Sequence, residues 1–447
     1  MKKLSRSQFL QVSIMLFGLF FGAGNLIFPP FLGNQAGNNT FVSLLAFSVT
    51  AVLFPILGAI AVGQTEGLKN LSSRVGKVFA LVFTTAIYLS IGPGLGIPRA
   101  GSVPFEMAIA AYVPETFSLS LARLLYTAIF FAVAFWVCLK PNKLVARVGK
   151  YLTPALLLLI VFMFVRVMSL PSHVAMASGN YKDAPLVAGF LAGYETMDAV
   201  AALNFGFVVT LAIRRFGIED KKTVTSYTTK AGLLAGSVLF LVYVMLSKVG
   251  MVTSNAFVGS ENGAAVLTKA VRLALGNSGL VLLALIFTLA CLTTCIGLIS
   301  SGSEYFCSLF NNKLSYRRWV FLWTFFSFVM ANFGLNKLLA FSVPLLTVIY
   351  PVALVLIFMG VTNNFVKYSK YSYKFSAFFA VGLPLVSVMS STFKMTIPFL
   401  TNFEGSLPLA SYGLSWLLPS LAVIFVVEPV SKVFQYSRSK VQAKNYV

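Results

Sequence analysis

Apolar runs about 20 residues long recur along the whole chain, and the hydrocarbon layer of a membrane is the solvent that suits such a pattern. Twelve runs are expected as spans, near residues 9–33, 41–63, 78–98, 119–139, 144–168, 185–213, 224–247, 278–303, 317–334, 338–360, 375–392 and 408–428. Composition agrees, since 58% of the 447 residues are hydrophobic and 10% are charged, where soluble domains carry about 25% charged residues. Runs of this length satisfy their backbone groups in lipid as helices. The expected fold class is therefore all-α integral membrane, with about 12 transmembrane helices. The first run is too long and too interrupted by Gly and Pro for a cleaved signal peptide, and is expected to remain in the mature protein.

A formal charge of +22 would point to nucleic acid in a soluble protein, but its placement argues otherwise. Basic clusters such as Lys69, Arg74 and Lys77, or Lys140, Lys143, Arg147 and Lys150, recur in every second loop, whereas the intervening loops hold scattered residues such as Arg99, Arg123, Lys182 and Lys337. The positive-inside rule then sets both termini in the cytoplasm. The macromolecular partner is the lipid bilayer, with no nucleic acid.

Catalytic and metal chemistry find no support. His173 is the one histidine and falls in an expected loop, which rules out an H-E-x-x-H metal site. Cys138, Cys291, Cys295 and Cys307 lie in or beside apolar spans and read as small packing residues rather than as a disulfide framework. There is no T-V-G-Y-G channel filter, and the cytoplasmic segments are too short for a nucleotide-binding domain. The chain is expected to be neither an enzyme nor the holder of a cofactor.

Two spans depart from plain apolar helix. The first contains Gly18, Gly22, Gly24, Asn25, Pro29 and Pro30. Gly disfavours a helix by about 1 kcal/mol and Pro by about 3 relative to Ala, so the helix is expected to unwind across 22–30. Unwound backbone at membrane depth must find partners in protein, water or ligand, which makes a break a binding site. The sixth span holds Gly189, Gly193 and Gly206 with two acids, Glu195 and Asp198. An acid at the bilayer centre costs at least about 2.5 kcal/mol, so these two need a partner or a function. Spaced three apart, they are expected to share one helix face.

Spans one and six begin on opposite sides of the membrane, so spans one to five and six to ten would form two inverted repeats, each with one discontinuous helix, a design of secondary transporters with the solute held at the midplane. The expected divisions are 1–175, 176–361 and a C-terminal pair of helices with a tail, 362–447.

Four segments, GAGNLIFPPFLG from Gly22 to Gly33, YLSIGPGLGIPRAGSVPFE from Tyr88 to Glu106, GYETMDAVAALNFG from Gly193 to Gly206 and LACLTTCIGL from Leu289 to Leu298, together resemble the branched-chain amino acid:cation symporter family. The resemblance implies a LeuT-like five-plus-five fold with helices one and six broken, and import of leucine, isoleucine and valine coupled to Na+ or H+ across the bacterial inner membrane. A transporter of another small neutral amino acid on the same fold is the alternative. By the same resemblance, Ala290, Thr293 and Thr294 match a cation-binding A-x-x-T-T spacing, and the carbonyls of Gly18 and Phe21 are their counterparts. The substrate carboxylate is expected at the free N–H groups of Ala23, Gly24 and Asn25, where a half-helix begins. Its ammonium is expected at Glu195 first and Asp198 second, and its side chain among Phe20, Tyr194, Met197 and Ile97. Glu304 is read as a cytoplasmic gate acid or a solvated one.

Overall fold

The computed structural model describes residues 3–114 and 116–429. Among them the regular structure is helical, with π- and 3₁₀-helical turns between α-helices and no strands. Among the described residues, eight helices are long and apolar enough to cross a membrane, and a ninth crossing results if Pro185–Tyr194 and Asp198–Arg215, bent by 44°, are taken together. Residues up to 63 together with 88–339 form one compact unit, and residues 64–87 with those from 340 onward form another.

Within the first unit, helix Arg6–Phe20 starts on a capping box, in which Ser5 Oγ accepts from the Gln8 amide and the Gln8 side chain accepts from the Ser5 amide. It stops at Phe21, whose backbone is extended, and a new helix, Ala23–Ala36, starts after Gly22. Unwinding is thus confined to two residues rather than reaching Pro30, which corrects the expected extent of the break. Pro29 and Pro30 lie inside the second helix. There each lacks the N–H that would bond one turn earlier, and its ring crowds the carbonyl four residues back.

Glycines let this half-helix lie against Lys221–Val252. A methyl group added at Gly33 would fall 1.9 Å from the Ser247 carbonyl oxygen, and one at Gly250 would fall 2.0 Å from that of Pro30. Such close backbone approach is how membrane helices gain contact when lipid supplies no hydrophobic drive. The sixth span does the same, since a methyl at Gly189 would come 2.0 Å from the Ser43 carbonyl oxygen. Helix Lys221–Val252 is capped by Asp220, and hydrogen bonds from the Thr223 amide and hydroxyl hold the Asp220 carboxyl below the usual carboxylate range. Helix Gly263–Leu309 bends at Gly276, where φ is +62°, a conformation that favours glycine.

In the second unit, Tyr373 of helix Lys370–Ser391 donates to the Met359 carbonyl at 3.2 Å. Glu428, near the end of the described chain, is buried and accepts hydrogen bonds from the Ser369 amide and the Ser372 hydroxyl at 2.8 and 2.7 Å. Its carboxylate thereby meets the positive end of the Lys370–Ser391 helix. Arg74 lies over the Tyr373 ring and donates to its hydroxyl at 2.7 Å.

Candidate site between two broken helices

The two breaks face one another across a cavity in the first unit. It encloses about 590 Å³, part of it open to solvent, and its wall includes Gly22 to Asn25 from the first break and Thr196, Met197 and Asp198 from the second. Phe20, Ile91, Leu95, Ala201 and Leu298 supply apolar wall, while Arg99 and Thr294 add polar groups.

Phe20 ends one helix there, and Ala23 and Asp198 each begin another. Helix Ala23–Ala36 starts at the cavity with no side-chain cap on Gly22, and a helix start of this kind suits an anion; the Ala23 amide itself meets the Cys291 sulfur. Asn25 takes one donor, accepting from the Gly22 amide at 2.8 Å. Opposite, the sixth span turns through Met197, held at φ +66°. A non-glycine residue in that region carries strain, which recurs at ligand-binding turns. Thr196 stabilises the turn by donating to the Gly193 carbonyl at 2.8 Å.

The left-handed turn at Met197 separates the two acids. Asp198 is 3% exposed and its Oδ2 accepts from Asn25 Nδ2 and, at 3.0 Å, from the Tyr243 hydroxyl. Asn25 Nδ2 also lies 2.5 Å from the Tyr243 oxygen. One carboxylate thus ties together the first, sixth and seventh spans through Oδ2. Glu195 is exposed and does not line the cavity. The expectation of one shared face fails because the helix it assumed is interrupted between the two residues. Tyr194 and Ile97 also lie outside the lining, whereas Ala23, Gly24, Asn25, Phe20 and Met197 belong to it.

The residues nominated for a cation divide similarly. Gly18, Phe21, Ala290 and Thr293 are all buried. Thr293 donates to the Ala290 carbonyl at 2.9 Å, a bond within its own helix. Thr294 lies at the cavity, and its buried hydroxyl has no protein partner; a methyl on Gly22 would fall 3.0 Å from that oxygen. The hydroxyl therefore sits against the unwound turn. A second buried hydroxyl without a partner, that of Thr153, would lie 2.1 Å from a methyl on Gly18. Sequence reading passed over Thr153, whose only signal is a polar residue in an otherwise apolar run.

The third span bends beside the site. Gly92 has a non-helical backbone and Gly96–Pro104 resumes as helix after Leu95. A methyl on Gly92 would come 2.1 Å from the Trp323 ring, so glycine there admits close packing. Away from the cavity, Arg215 Nη2 pairs with Glu304 at 2.7 Å, and its Nη1 donates to the Pro141 carbonyl at 2.8 Å. Glu304 is thus the acid of an ion pair.

Apolar helices of membrane-spanning length around a cavity at two helix breaks define a multi-pass membrane protein. Residues 5–433 match the family model described as branched-chain amino acid transport protein, and the chain belongs to that family. It is 37% identical to the branched-chain amino acid permease BrnQ of Lactobacillus delbrueckii subsp. lactis, over 98% of this chain and all of the relative. It is 38% identical to the permease BraB of Bacillus subtilis, over 92% of each chain. With the branched-chain amino acid transport system 2 carrier protein of Pseudomonas aeruginosa the identity is 37%, over 94% of this chain and 95% of the other. In fold it is similar to a crystal structure of a manganese transporter of Eremococcus coleocola, with a TM-score of 0.54 at 14% identity over 97% and 96% of the two chains.

Proposed function

We propose that this protein imports leucine, isoleucine and valine into a bacterial cell by cation-coupled symport, alternating access to one site between the first and sixth spans. Twelve spans in a LeuT-like five-plus-five arrangement, with repeats over 1–175 and 176–361, two further helices in 362–447 and both termini cytoplasmic, complete the reading. The observation that carries it is the pairing of opposite charges at the cavity: the positive start of helix Ala23–Ala36, which has no side-chain cap, on one side and the Asp198 carboxylate on the other.

An amino acid fits between them with its carboxylate at the helix start and its ammonium at Asp198. Asp198 takes this role ahead of Glu195 because it lies in the wall of the cavity. The branched side chain meets Phe20, Ile91, Leu95 and Leu298. One methylene is worth about 1 to 3 kcal/mol in such a pocket, so all three substrates are accommodated together.

Sodium is the coupling ion favoured by the unpartnered Thr294 hydroxyl beside the first break. With the carbonyls of Gly18, Phe21 and Ala290 and the Thr293 hydroxyl it makes an all-oxygen set, and the end of a half-helix adds negative partial charge. Proton coupling is a second reading, because Asp198 is a buried carboxylate of the sixth span bonded to the first and the seventh. Uptake of radiolabelled leucine into proteoliposomes, with sodium and pH gradients imposed separately, tests the proposal. Uptake should follow one of the two gradients and be competed by isoleucine and valine more strongly than by alanine. Gradient-independent uptake, or equal competition by alanine, contradicts it.

A further inference from the structure

Arg99 stands on the third span, on the helix Gly96–Pro104 that follows the disrupted turn at Gly92. Sequence alone assigned it to an outer loop as one of the scattered positive residues. In the structure it lines the cavity between the two broken helices. Its guanidinium has one hydrogen-bond acceptor among the described residues, the Met197 thioether, at 3.9 Å. No carboxylate among the described residues forms an ion pair with it.

That is an unusual state for this side chain. A guanidinium presents five N–H donors in a planar fork that matches a carboxylate with two parallel bonds, and a thioether is a weak acceptor. Taking such a cation out of bulk water is costly unless an anion meets it. Asp198, the acid in the same wall, and Glu195 lie within electrostatic reach of Arg99, but neither forms an ion pair with it, and Asp198 Oδ2 is committed to Asn25 and Tyr243. The cavity therefore has a negative pole at Asp198, a positive pole at Arg99 and apolar wall from Leu95 and Phe20 beside them.

We propose that Arg99 binds the carboxylate of the transported amino acid through its guanidinium fork, making the site selective for zwitterions over amines and uncharged analogues. The assignment rests on the proposed amino acid substrate and adds a third-span contact to the amides of the first break. The amides alone present partial charge, whereas the guanidinium presents a full one, so Arg99 carries most of the discrimination between a carboxylate and a neutral carbonyl group at that position.

The test compares leucine with leucinamide, which keeps the ammonium and side chain but has no anionic carboxylate, on purified wild type, Arg99→Gln and Arg99→Lys. Ligand-induced thermal stabilisation, read over a concentration series, gives apparent affinities and reports folding in one measurement. Wild type should bind leucine at least about tenfold more tightly than leucinamide. Arg99→Gln should weaken leucine by about the same factor and change leucinamide by less than about twofold, so that the two ligands converge. Arg99→Lys, which keeps the charge and loses the fork, should fall between. A guanidinium needed only for folding would instead lower the unliganded melting temperature and leave the leucine-to-leucinamide ratio intact. Retention of that ratio in Arg99→Gln, or in Arg99→Lys if the glutamine variant does not fold, overturns the Arg99 assignment and leaves the proposed function standing. A wild type that binds no branched-chain amino acid overturns both.

Discussion

Replacing Asp198 by Asn isolates one charge at the centre of the proposed site. The side chain is 3% exposed and holds Asn25 and Tyr243 through one oxygen. Asn keeps the shape and an oxygen that can still accept from both, so the unliganded protein should elute as a single species and melt close to wild type. What disappears is the charged partner of the substrate ammonium. A hydrogen bond to a charged group contributes about 1.5–3 kcal/mol, and each 1.4 kcal/mol is about tenfold in affinity. Leucine binding should therefore weaken about 10- to 100-fold. Glu195→Gln is the companion variant: its side chain is exposed and outside the cavity wall, and leucine affinity should change by less than about threefold. Saturation binding of radiolabelled leucine to the purified variants gives both numbers. Wild-type affinity in Asp198→Asn, or a larger loss in Glu195→Gln, refutes the assignment of the ammonium to Asp198.

Three further perturbations probe the surroundings. A methyl at Gly24 would meet the Thr196 backbone and the Phe28 ring at 3.4 Å, so Gly24→Ala should bind leucine with modest loss, whereas the larger Gly24→Val, by overpacking that costs about 1–3 kcal/mol, should weaken binding at least about tenfold; titration of leucine against both variants checks the order. Changing Thr293 and Thr294 together to Val removes two of the proposed cation oxygens and should raise the sodium concentration for half-maximal uptake at least about tenfold while leaving leucine affinity at saturating sodium nearly unchanged, measured in proteoliposomes over a sodium series. Arg215→Ala removes the 2.7 Å pair with Glu304; with the native cysteines replaced, a cysteine substituted for the buried Ser303 should react faster with a membrane-impermeant thiol reagent from the cytoplasmic side, and an unchanged labelling rate rejects a gating role for the pair.

The sequence made the breaks visible because Gly18, Gly22 and Gly24 violate helix propensity in a span that lipid requires to be helical. Their exact extent was not legible. Pro29 and Pro30 are tolerated inside Ala23–Ala36, where neighbouring helices and not local propensity decide. The two acids of the sixth span were legible as a pair out of place in lipid, but their division was not, since a period of 3.6 residues has no meaning across the left-handed Met197. Arg99 was hidden for a different reason. As one basic residue near the end of an apolar run it fits the orientation rule as an outer-loop charge, and only the bend after Gly92 brings it to the cavity. Packing glycines such as Gly33, Gly189 and Gly250 carry no label in the sequence that tells them from glycines in loops; their role depends on which helix lies opposite.

The most direct measurement of the central claim is a cryo-electron microscopy map of the protein in saturating leucine and sodium, compared with one recorded without leucine. Leucine-dependent density should appear between the Ala23–Gly24 amides and Asp198, with its side chain toward Leu95 and Leu298. Leucine density elsewhere in the bundle, with the space between the two breaks unchanged from the leucine-free map, contradicts that claim.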